Sequence, residues 1–149
     1  MPQESHDGTT HGTFSPESWT AAERRYERLG STAQVVVRAV TKAMEFDREE
    51  YDRRVTGEVV ETARQALFAE TLAVRVADRA GFDSWRETYD EEIHVAGSDA
   101  VGNVAWHVSP PARTAVAATF ENEPEAAVGT VRRMAFNRLY RDRLAGDEQ

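Results

Sequence analysis

Two of the four histidines, His94 and His107, stand in one stretch, Glu92 to Val108, "EIHVAGSDAVGNVAWHV". A neutral imidazole is a nitrogen ligand for zinc and a proton carrier near neutral pH. Ile93 and Val95 alternate with Glu92, His94 and Ala96, and Val104, Trp106 and Val108 alternate with Ala105 and His107, which is the period of two strands. Joined as a hairpin with residues 97–103 as the loop, these strands would carry His94 and His107 on one face as near neighbours. Glu91, Glu92 or Asp99 could then add oxygen ligands. Alternatively, Ser98 caps a helical turn with Val101, Val104 and Val108 on one side, and the two histidines are unrelated. No His-Glu-x-x-His, calcium loop or paired Glu-x-x-His stands beside them. The plain reading is a His107 packed against Trp106 and holding one hydrogen bond. His94 and His107 are thus the candidate metal ligands, and the sequence calls for no cofactor.

Glu70 is the second candidate. Read as one helix from Glu58 to Ala80 stopped by Gly81, the chain puts Glu70 among Val59, Ala63, Ala66, Leu67, Val74 and Ala77, with Phe68, Leu72 and Val76 on the opposite side. Such a rod is the centre of its fold. A carboxylate embedded in it must find a cation, be held by hydrogen bonds or stay protonated. Glu70 and His107 are the catalytic candidates, and with His94 they would make a metal-dependent or acid–base enzyme. The structural alternative pairs Glu70 with an arginine or a histidine.

The third constellation is Arg132, Arg133, Arg138, Arg141 and Arg143 near the end of the chain. It could meet phosphate, and with Trp106 its members Arg132, Arg133, Arg138 and Arg141 are the candidate binding residues. On a helical wheel these arginines surround the apolar face instead of forming one stripe, the arrangement of side chains that lay their stems on a core. Gly-x-Ser-x-Gly, phosphate-loop and dinucleotide motifs are missing.

The elements that must position these residues read mostly as helix. Residues 1–13, with His6 and His11, read as a flexible tail, and residues 146–149 as a disordered end. Ser15-Pro16-Glu17 opens a helix carrying Trp19, Ala22, Tyr26 and Leu29, and Gly30 ends it. Ser31 starts a second helix with Ala33, Val36, Val37, Val40 and Met44 on one face and Val35, Ala39 and Phe46 in a second strip, so both sides touch protein. Asp47 with Glu50 forms a capping box that restarts the helix to about Val55. Asp83 caps a short helix with Trp85 and Tyr89, Ala112 to Phe120 makes another, and Pro124 opens a last helix to about Leu144 that buries Val128, Val131, Ala135 and Leu139, edged by Phe136 and Tyr140. The expected fold is all-α: one domain over residues 14–145, a compact bundle of about five to seven helices around a central long helix, with a short hairpin or irregular insertion near residues 92–108.

Composition narrows the setting. There are 18 basic and 26 acidic residues, a net charge of −8, with Lys42 the only lysine and no cysteine. An acidic surface keeps a protein hydrated where salt screens charge to within about 3 Å at 1 M, and it opposes general nucleic-acid binding. No apolar run approaches the ~20 residues that cross a bilayer. These features imply a cytoplasmic protein without membrane contact, in a salt-rich cell. "TKAMEFDREEYDRRVTGEVVETARQALFAE", "VAWHVSPPARTAVAATF" and "AAVGTVRRMAFNRLYR" resemble an uncharacterised family of small haloarchaeal proteins, a domain of unknown function. That resemblance implies a helical cytoplasmic protein and no activity or functional residues. The functional expectation is a non-enzymatic binding or regulatory module with an unknown protein partner or a second copy, docked through exposed parts of the second or last helix. The alternatives are the Glu70, His94 and His107 enzyme and nucleic-acid binding through the last helix.

Overall fold

The computed structural model describes residues 8–98 and 100–145. His6 and Asp99, two of the residues weighed above, lie outside them. The chain runs β1 (Thr9–His11), α1 (Trp19–Ala43), α2 (Arg48–Arg54), α3 (Gly57–Glu70), β2 (Val74–Asp78), α4 (Arg79–Thr88), β3 (Glu92–Ala96), β4 (Asn103–Ser109), β5 (Thr114–Phe120) and α5 (Pro124–Ala135), which continues through a π-helical turn (Phe136–Tyr140) into α6 (Arg141–Leu144). The strands form one five-stranded sheet in the order β1-β2-β4-β5-β3, antiparallel except for the β3–β5 pair. The expected all-α bundle is therefore wrong, and the fold is α+β.

Three local readings failed, each for a physical reason. The supposed central rod of residues 58–80 is α3 plus β2: Thr71 ends the helix, and β-branched Val74 and Val76 then alternate with Arg75 and Ala77. Of the expected helix over residues 112–120, Thr114–Phe120 is a strand although alanine-rich, because β5 lies inside the sheet between β4 and β3, where small side chains admit close neighbours. Gly30 does not end a helix; α1 runs through it for 25 residues. A Cβ at Gly30 would come within 3.6 Å of the Arg64 guanidinium, and that guanidinium donates from Nε to the Tyr26 carbonyl at 2.8 Å. At 3.6 Å a methyl would be in ordinary van der Waals contact, so the glycine is not required for the bond. Beside it the Tyr26 hydroxyl donates to Glu61, and burial together with that carboxylate pushes the phenol up to about 12.

Other signals hold. Asp47 accepts from the Glu50 amide at 2.8 Å and caps α2, and Pro124 sits in the first turn of α5. Ser18, not Ser15, caps the start of α1, accepting from the Ala21 amide at 3.0 Å, so Ser15-Pro16-Glu17 precedes the helix instead of opening it. Asp78, not Asp83, caps α4, accepting from the Gly81 amide at 2.8 Å. Within the stretch expected to be a tail, Thr9–His11 pairs with Val74–Val76.

Alternation along the strands sends two sets of side chains to opposite faces. One face buries Val74, Ala105, Val116 and Ala118 against Ala22 and Tyr26 of α1, Phe68 of α3, and Val128, Val131, Ala135, Phe136 and Tyr140. The other buries Ala77, Val104, Trp106 and Ala117 under Phe82 of α4, with Trp85 packed alongside. The main core takes neither Ala33 nor Val37 of α1. Beyond about Gly30, α1 packs chiefly on α3 and not on the sheet.

Candidate functional site

The segments around residues 93–95 and 104–108 are strands, as their alternation implies, but they do not pair with each other. His94 lies opposite Val116 of β5, and Val116 lies opposite His107 of β4. The two imidazoles thus share a face and a row with a strand between them, about 10 Å apart at the usual strand spacing. Ser98 makes a single turn instead, accepting from the Ala100 amide at 3.0 Å on its hydroxyl and from the Val101 amide at 3.3 Å on its carbonyl. His94 lies 3.3 Å from Glu92 Oε2 with its side chain 39% exposed. Among the described residues no group of three or more histidine, aspartate or glutamate side chains is placed to hold a metal.

His107 is 1% exposed and saturated with partners. Nδ1 lies 2.7 Å from the Ala73 carbonyl, which can only accept, so the ring proton sits there. Nε2 must then accept, and the Tyr140 hydroxyl donates to it at 2.7 Å. Ser109, wholly buried, lies beside the Tyr140 hydroxyl. The Ala112 amide donates to Ser109 Oγ at 3.4 Å. Burial, reinforced by the Arg132 charge, holds the imidazole neutral with its pKa pushed down to about 4. Burial also drives the Tyr140 phenol well above its ordinary value. This chain of hydroxyl, phenol and imidazole has the parts of a proton relay, but it is closed to water at each member and bridges β2, β4 and the π-helical turn. That turn sets Phe136 and Tyr140 in the core together, with the Arg141 amide bonded back to the Phe136 carbonyl.

Glu70 is the last residue of α3 and its side chain is 69% exposed. The buried member of its pair is Arg132, 13% exposed, whose Nη1 lies 3.6 Å from Glu70 Oε1 and whose Nε donates to the Leu72 carbonyl at 3.1 Å. Arg132 therefore sits just beyond the C-terminal end of α3, where a cation is favoured. The structural pairing is what the geometry shows, and the embedded carboxylate is not. Glu70, His94 and His107 do not converge on one space.

The arginine set is divided in the same way. Arg143 donates to Glu23 at 3.1 Å and lies over the Trp19 ring; Arg141 donates to Asn137 at 3.2 Å and lies over Phe136; Arg133 reaches Thr130 at 3.4 Å. Arg138 alone of these is exposed without such a contact. Trp106, 1% exposed, is packed edge-on to Phe82 at 5.0 Å and is part of the core. These residues do not make one phosphate-facing surface.

What the structure leaves uncovered is the second half of α1. Val35, Val36, Val40 and Met44 are 60%, 38%, 50% and 57% exposed, and Val59 of α3 beside them is 42% exposed. Ala39 and Ala43 on the same side are exposed too. The face continues into a groove of about 330 Å³ between α1, α2 and α3, lined by Val37, Phe46, Val55 and Ala63 among others, with Thr41 and Arg54 the polar members. The expectation that both strips of this helix touch protein fails, because the Val35 and Ala39 strip meets solvent.

A family of unknown function, DUF5809, matches residues 13–141, which takes in every element described except β1 and the end of α6. The chain belongs to that family. No curated protein and no solved structure matches it. In this DUF5809 member no helix of the described residues is long and apolar enough to cross a membrane. The buried relay, the Arg132 clasp and the bare α1 face all fall within the stretch that defines DUF5809.

Proposed function

We propose that this protein is a non-enzymatic binding module whose working surface is the exposed apolar face of α1, covered by a second copy of the same chain. The observation that carries the reading is the run Val35, Val36, Ala39, Val40, Ala43 and Met44, which stands in solvent over three turns of helix, with Lys42 at its edge. Apolar patches of this kind mark interaction sites. A self-complementary occupant is favoured by an isologous geometry, which buries the same strip twice with one set of residues. The contact is at the small end of specific interfaces, so a dissociation constant in the micromolar range is expected.

Light scattering across about 10 to 500 μM protein tests this, and the expected result is a rise from monomer to dimer mass. Val36→Glu with Val40→Glu should keep the circular dichroism of the wild type and remain monomeric, since both side chains already stand in water and burying two carboxylates against their symmetry mates is costly. A wild type that stays monomeric at the top of that range overturns the reading. A dimer indifferent to both substitutions places the contact elsewhere and overturns it as well.

A further inference from the structure

Beyond the contact between copies, we infer that the groove between α1, α2 and α3 is a binding site for a free alkyl carboxylate with a chain of about eight to ten carbons. Its walls come from separate elements. Val37 and Val40 belong to α1, Phe46 to the turn after it, Val55 to the segment that follows α2, and Ala63 to α3. The space of about 330 Å³ falls within the ~300–1,000 Å³ range of small-molecule sites. At roughly 30 Å³ for each water-sized group, it has room for about ten methylenes. The Thr41 hydroxyl, 7% exposed, already donates to the Arg38 carbonyl at 3.0 Å. An acceptor at the inner end of a ligand would therefore lose water and find no side-chain donor, so that end is apolar.

The mouth differs in charge. Arg54 is the one charged side chain among the described residues that line the groove, in a chain whose 26 acidic residues outnumber its 18 basic ones. Its guanidinium lies over the Phe46 ring, 5.5 Å from the centroid, which holds the charge beside the apolar wall. Glu50, the carboxylate facing it, is 3.8 Å away, beyond hydrogen-bonding distance, and is shared with Arg53 at 4.0 Å. One acid between two exposed guanidiniums leaves Arg54 with N–H donors for a second acceptor. A carboxylate fits that planar fork, whereas a neutral head gains no ionic contact and a cationic one is repelled. Val36, Val40, Met44 and Val59 line the groove and also belong to the bare face. Val55 and Ala63 line the groove alone.

Methyl NMR at about 20 μM protein tests the assignment, with octanoate, 1-octanol and octylammonium each titrated to about 5 mM in ~50 mM salt. Octanoate is expected to saturate below about 1 mM and to shift the Val55 and Ala63 methyls. The dimer is read from mass and the groove from those two methyls, so either reading can fail while the other stands. 1-Octanol is expected to bind about tenfold more weakly, and octylammonium more weakly again. Arg54→Gln should weaken octanoate about tenfold and leave 1-octanol unchanged, which separates a charge contact from a general loss of apolar surface. Ala63→Phe, which fills the groove from α3, should abolish binding of octanoate and 1-octanol while keeping the circular dichroism of the wild type. Absence of a saturable octanoate shift at Val55 and Ala63 overturns the inference, and so does 1-octanol binding as tightly as octanoate. Octanoate affinity unchanged in Arg54→Gln overturns it as well.

Discussion

Phe68→Ala is expected to remove about 3–5 kcal/mol of folding free energy. Phe68 is fully buried on α3. It meets four other rings edge-on: Phe14 at 5.8 Å, Tyr26 at 5.8 Å, Phe136 at 5.9 Å and Tyr140 at 5.3 Å. Those rings come from the N-terminal segment, α1 and the last helix, so none can move into the void without dragging a separate element. That is the condition under which a cavity stays open and its full cost is felt. Each edge-to-face pair adds about 0.5–1.5 kcal/mol beyond buried area. Against a total stability of about 5–15 kcal/mol the loss is a large fraction. Urea unfolding of the variant measures it, with Val40→Ala as the control, expected to stay within about 0.5 kcal/mol because that side chain is half in water. A Phe68→Ala loss below about 1 kcal/mol would mean that the rings are not held as described.

Particular residues explain how much of this could be read beforehand. Asp47 with Glu50, Pro124, and the spacing of Val128, Val131 and Ala135 are local signals: the partner of each is a turn away, and the structure honours them. The two strands were legible because Ile93 and Val95, then Val104, Trp106 and Val108, keep a strict period of two. Their partners were not, since pairing is a long-range choice. Pro110–Pro111 makes the tight connection that joins β4 to β5, with the Arg113 amide bonded to the Pro110 carbonyl at 3.1 Å. A hairpin therefore closes after His107 and not before it. β5 itself, "TAVAATF", is buried on both faces, and a strand covered twice loses the alternation that would reveal it. Helical periodicity extended over Val74 and Ala77 embeds Glu70 among apolar residues, whereas β2 begins at Val74 and the Glu70 side chain stands in water. His107 is packed, but on the sheet face opposite Trp106 and not against it, and its partners Ala73 and Tyr140 are 34 and 33 residues away, beyond the reach of local pattern. The apolar excess of α1 was legible as composition. Only coordinates tell whether a neighbour covers it.

The relay makes a second large effect accessible through pH. The unfolded chain protonates His107 near the ordinary value of about 6.5, while the folded protein holds it neutral until about 4. Between those values the unfolded state binds the extra proton, so stability rises with pH: the contribution is complete above about 6.5, shrinks as the pH falls through the window, and is exhausted near 4. The full difference is about 3 kcal/mol. Carboxyl groups in general titrate near pH 4, so the comparison must be between variants. Urea unfolding of the wild type and of His107→Gln at a series of pH values from 7 to 4 should give curves that converge on acidification, the wild type losing about 3 kcal/mol more than the variant. Tyr140→Phe supplies the complementary case: it keeps the ring, strands Nε2 without its donor, and should cost about 1–3 kcal/mol at neutral pH. Carbon-detected NMR of the His107 ring in the wild type reads the same titration without any substitution. A midpoint near 6.5 there, or parallel stability curves for wild type and His107→Gln, would show that water and protons reach a ring that the buried Ser109, Tyr140 and Ala73 contacts are here held to seal.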